Sequence, residues 1–265
     1  MSLVVSVAYD DAIVVGADRM SVALDETIHG KTVMTQHMFN TRKIFTYSDN
    51  IVVGFVGDGG VICNWDFSTP RSFYRAGLPI PWCDFFDAFK HNYPDLDVYG
   101  VPTAFLEYCR QSCDLSNTLA EVLVAGYDKH NNRFRAKINL KTAEIRCLSG
   151  TVPLSIGVTF LAEAILPEIG NTRMEMMTIT DAVDLVKYCL ETTSKMSKFK
   201  ASIGVGGNFD IYVLSKTYGC GWVHNNDVLL LPYPADEKPE PPKVARKVSQ
   251  ASKKVAKRPT TKKTR

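Results

Sequence analysis

The chain has 265 residues, 45% of them hydrophobic and 22% charged. That is apolar material for one large domain or two small ones and excludes a wholly disordered chain; no apolar run reaches the ~18 residues that span a bilayer. The formal charge of +3 hides an asymmetry, because residues 236–265 hold 11 basic and 3 acidic residues, while the rest carries more acid than base.

Residues 2–9 and 12–18 are rich in Val, Ile and Ala and meet at Asp10-Asp11, which predicts two strands joined by a tight turn. The second run, AIVVGA, is apolar at every position, as in a strand covered on both faces. Residues 19–42 are polar and irregular. KIFTYS and NIVVGFVG predict a second hairpin around Asp49-Asn50.

From Gly59 to about Cys113 the pattern turns helical, cut into short pieces by five prolines. TAFLEYCRQSC has helical spacing, with Phe105, Leu106, Cys109 and Cys113 on one side. AEVLVAGYD, RFRAKINL and AEIRCLS predict a three-stranded meander, and VTFLAEAIL a short helix ending near Pro167. TITDAVDLVKYCLETTSKM is the strongest helix, opened by Thr178 and Asp181 as a capping pair. Ala182, Leu185, Val186, Cys189 and Leu190 form its apolar stripe. FDIYVLSK and GCGWVHN predict two closing strands. This order predicts an α+β fold: two stacked antiparallel sheets with helices outside, a four-layer αββα sandwich. The expected domain covers 1–235, and 236–265, rich in Lys and Pro, is expected to be a disordered basic tail.

Seven cysteines occur without a CxxC, and the five histidines lack metal spacing. Reduced core thiols, a cytoplasmic location, no secretory signal, no metal and no cofactor are therefore expected. Trp65 and Trp82 are expected in the core or at a subunit interface. The tail has three readings: a solvated segment, a contact for an acidic partner, or a nonspecific nucleic-acid contact.

A two-residue turn at Asp10-Asp11 makes paired positions sum to 21. That register puts Ser2 beside Asp18. Removal of Met1 would free the Ser2 α-amine, whose ordinary pKa of about 7.7–8 suits it as base for its own hydroxyl. A nearby cation would lower that pKa further, and an aspartate would hold the cation.

The stretch SLVVSVAYDDAIVVGADRMSV resembles the start of a mature proteasome β subunit or of its bacterial relative HslV. RKIF, IVVGFVGDGG, VLVAGYD and GGNFDIYVLSK resemble later motifs of that family, in the family's order. The resemblance covers residues 2 to about 222 and implies an N-terminal nucleophile (Ntn) hydrolase. It implies a threonine/serine-type peptidase with Ser2 as nucleophile, Asp18 and Lys43 as its acid and cation, and the Gly54 amide as oxyanion donor. It also implies an extended peptide or unfolded-protein substrate along Ser21 and Val22, a pocket lined by Val52 and Val56, and a homo-oligomer, with a ring as one arrangement. The chain departs from the family at Gly157-Val158-Thr159, where a serine is expected at the centre, and at Ser202 and Val205, where an Asp and a Ser are expected. The nucleophile is serine where the family prefers threonine. Two alternatives follow: an inactive scaffold or adaptor of the same fold, or a stand-alone peptide ligase.

Overall fold

The computed structural model describes residues 2–9, 12–23, 27–28, 31–32, 37–68, 73–116, 118–148, 150–159, 176–197, 205–224 and 227–231, those of the short strands between 21 and 40, residues 67 and 224, and 227–231 by backbone alone. All of them belong to one compact unit, Met1–Tyr233. The expected tail 236–265 and the helix expected in VTFLAEAIL, apart from its first residues, lie outside the described residues.

The chain is a mixed α+β protein with two antiparallel sheets. Their strands and the helices, in chain order, are β1 (Leu3–Ala8), β2 (Ala12–Asp18), β3 (Ile44–Ser48), β4 (Ile51–Gly57), α1 (Trp82–Asn92), α2 (Gly100–Ser112), β5 (Ala120–Tyr127), β6 (Arg133–Asn139), β7 (Glu144–Leu148), β8 (Leu154–Gly157), α3 (Ile179–Ser197), β9 (Phe209–Ser215), β10 (Gly219–His224) and β11 (Asp227–Leu231). The first sheet runs β8-β1-β2-β9-β10-β11 and the second β7-β6-β5-β4-β3. β8 was not expected from the sequence. β11, at the far edge of the first sheet, was likewise not predicted, and the remaining strands match the predicted runs.

The β1–β2 register is the one a two-residue turn dictates, with Val4 opposite Ala17 and Ala8 opposite Ile13. Side chains alternate faces along each strand. Leu3, Val5 and Val7 therefore meet Ala182, Val186 and Leu190 of α3, while Val4 and Ala8 turn to Val52, Val56 and Leu123 of the second sheet. Every residue of β1 and β2 is buried, which explains the unbroken apolar runs. On α3 Val183 is buried and Leu185 only half-buried, a small rotation from the expected stripe.

The far face of the second sheet packs on α1 and α2 through an aromatic cluster. Phe55 stacks on Trp82 with ring centroids 4.9 Å apart, and Phe89 meets Phe105 edge-on at 5.0 Å. Trp82 is core, whereas Trp65 is 45% exposed. Thr178 and Asp181 cap the start of α3 reciprocally, and Gly100, at the start of α2, donates its N–H to Asp97 Oδ1, whereas α1 begins after Pro81 with no side-chain cap. No helix among the described residues is long and apolar enough to cross a membrane.

Candidate functional site

The strand ends converge beside Ser2. β1 starts one residue after it, and the hairpin returns β2 so that Asp18, its last residue, lies next to Leu3. Leu3 donates its N–H to Asp18 Oδ1 at 2.9 Å. Asp18 Oδ2 accepts N–H groups from Met20 and Gly206, each at 3.2 Å. Thr41 donates its N–H to Arg19 O, which holds the approach to β3 against the exit of β2. This delivers Lys43, whose Nζ donates to Asp18 Oδ1 at 2.9 Å and to Met20 O at 2.6 Å.

Asp18 and Lys43 are both buried, as is Ser2. Burial raises the Asp18 carboxyl above its usual range, opposed by the Lys43 charge and by the N–H groups of Leu3 and Gly206. Burial lowers the Lys43 amine, opposed by Asp18. Desolvation outweighs pairing on both partners, so Lys43 releases a proton more readily than a surface lysine. A second ion pair, Arg19 with Asp210, closes the same end of the first sheet.

On its other side Ser2 is held by the backbone of β8 and the residue after it. Val158 donates its N–H to Ser2 O at 2.9 Å. Gly157 sits at φ +86°, and a Cβ there would lie 2.1 Å from Ser2 O, so only glycine fits. Its N–H goes to Glu121 Oε2, and Glu121 pairs with Lys137 at 2.6 Å.

Two cavities flank Ser2. One, of about 120 Å3, is lined by Ser2, Lys43, Val56, Gly57, Trp82 and Cys83. The other, of about 300 Å3, is lined by Ser2, Val56, Gly57, Leu119, Glu121 and Gly157 among others. Gly57 borders both. Phe55 donates its N–H to Lys43 O. N–H directions alternate along a strand, so Gly57, two residues on, sends its N–H to the same side, past the start of β3 and towards the smaller cavity.

Gly54 is not brought to Ser2. It lies inside the ladder between Ile44 and Leu123, and a Cβ on it would meet Val4 Cγ1 at 2.9 Å. Val52 is likewise fully buried between the sheets and lines neither cavity around Ser2. Val56 shares their face, but it stands near the end of β4 and reaches both cavities. Ser21 and Val22 follow Met20 in a short strand paired with His37–Asn40, and their side chains lie outside the described residues. Thr159 is half-buried, Val205 sits in the core beneath α3, and Ser202 is outside the described residues.

Of the residues named from the sequence, the structure brings Ser2, Asp18, Lys43 and Val56 together. The residues named there do not include Gly57, Gly206 or Asp210; the first two carry only the signal of a glycine near a strand end, and Asp210 carries none until β9 is paired with β2. No model of a known protein family matches this chain, and no curated protein matches it either.

Proposed function

We propose that the chain is an Ntn hydrolase of the proteasome β-subunit and HslV type, acting on peptide bonds. The observation that carries this reading is one oxygen, Asp18 Oδ1, shared by the amide that follows Ser2 and the Lys43 amine. The packing of α3 on one sheet and of α1 and α2 on the other supports the αββα arrangement.

In this reading Met1 is removed and the Ser2 α-amine takes the proton from Ser2 Oγ as it attacks the substrate carbonyl. Lys43 keeps the amine unprotonated, and Asp18 positions Lys43. The Gly57 N–H, in place of that of Gly54, faces the developing oxyanion. Acyl transfer to water gives hydrolysis, and transfer to an amine gives ligation. The substrate is an extended peptide or unfolded protein, with side chains in the two cavities beside Ser2. The protein acts in the cytoplasm as a homo-oligomer.

The test is release of a fluorogenic amine from a peptide by the purified full chain and by Ser2→Ala. Turnover should be lost in the variant with its melting temperature unchanged; turnover that survives contradicts the reading.

A second reading, a silent scaffold of the same fold, is favoured by the apolar residues Val158 and Val205 standing where a hydroxyl would support the amine. It requires that no substrate be turned over at all.

A further inference from the structure

A cluster of thiols lies at the far end of α2 and has no part in the proposed mechanism. Cys63, Cys109 and Cys113 are all buried. Cys63 Sγ and Cys113 Sγ are 3.5 Å apart, although 50 positions separate them in the chain. Cys63 and Cys113 form an isolated antiparallel bridge, and Asn64 donates its N–H to Ser112 O beside it. That bond, from the residue after one cysteine to the residue before the other, marks a non-hydrogen-bonded pair. Such pairs hold their Cα atoms about 4.5 Å apart, within the range of about 4.4–6.8 Å that a disulfide spans. We propose that Cys63 and Cys113 are an oxidative cross-linking site, converted to a disulfide by a small peroxide.

The chemistry balances with one peroxide per disulfide. The Cys63 thiolate attacks one peroxide oxygen, the O–O bond breaks and Cys63 becomes a sulfenic acid. Cys113 sulfur then attacks the Cys63 sulfur and expels its oxygen as hydroxide. Two thiols lose two electrons, the peroxide gains them, and the thiol protons leave in two molecules of water. Either sulfur can donate the hydrogen bond between them; with Cys113 donating, the Cys63 thiol is held lower, and Cys63 is then the better nucleophile. Burial keeps Cys109 fully protonated. The burial of the pair selects an oxidant as small as a peroxide.

The link has a structural consequence. Residues 57–63 run from the wall of both Ser2 cavities to Cys63. Asp58 and Leu119 already tie the start of that segment to the chain beyond α2 through N–H bonds in both directions. A disulfide would fasten its other end to the C-terminus of α2 and close a covalent ring around α1 and α2.

The test caps the exposed Cys83 and Cys147 with a maleimide on the native full chain, adds hydrogen peroxide, and maps peptides without reductant. The expected result is a Cys63–Cys113 linked peptide and a melting temperature higher by about 10 °C, reversed by dithiothreitol. Cys109→Ser should retain the link, and Cys113→Ser should lose it and leave Cys63 over-oxidised. Two free thiols at these positions after peroxide, or Cys63 joined to any other cysteine, would overturn the proposal. A link with no thermal shift would overturn the bracing of the cavity wall.

Discussion

Asp18 Oδ1 accepts both the Leu3 N–H and the Lys43 Nζ at 2.9 Å, so a single atom joins the start of the first strand to a buried cation. Asp18→Asn keeps an acceptor but removes the charge, leaving Lys43 buried without its counter-ion. Chemical unfolding should show a loss of about 3–5 kcal/mol. Adding Lys43→Met removes the stranded charge, and the double variant should be more stable than Asp18→Asn alone. If it is not, the two residues are not energetically coupled.

The glycines of β4 have separable roles. Gly57→Ala forces a side chain onto φ +102° and places its Cβ 1.8 Å from Leu119 O, which moves the N–H bordering both cavities. Peptide turnover by the folded variant should fall by about 10²–10³. Gly54→Ala overpacks the sheet interface against Val4 and should cost about 1–3 kcal/mol in stability with kcat retained. Loss of kcat in Gly54→Ala with kcat retained in Gly57→Ala would return the oxyanion role to Gly54.

Asp128 supplies a pH-dependent contribution to stability away from the site. It closes the β5–β6 turn by accepting the Asn132 side-chain amide and the N–H groups of Asn132 and His130. The Asn132 side chain above all holds its carboxyl down to about 2, below the ordinary 3.8. The unfolded chain therefore binds more protons between these values. The stabilisation is present above pH 3.8 and is lost as pH falls towards about 2. Unfolding measured across that window should be less pH-dependent in Asp128→Asn, and an unchanged profile would contradict this.

The first hairpin was legible because Asp10-Asp11 separates two apolar runs and the register of β1 and β2 follows from it by counting. That placed Asp18 beside Ser2 before any tertiary information. Lys43 was reached through resemblance, since no local rule carries it over the polar residues 19–42, which the structure shows in part as short strands. Gly54 and Gly57 look alike in the sequence; only the pairing of β4 with β3 and β5 shows which one stands at the strand end. β8 was missed because LSIG is short and follows Gly150 and Pro153, and pairing with β1 overrides that loop-like composition.

The most direct test of the central claim is the intact mass of the full chain after treatment with a peptide epoxyketone, followed by peptide mapping. Such a reagent needs a hydroxyl and a free α-amine on the same residue to close its ring adduct. The expected product is a chain lacking Met1, carrying one adduct on Ser2, with no adduct in Ser2→Ala. A chain that retains Met1, or an adduct on any other residue, would contradict it.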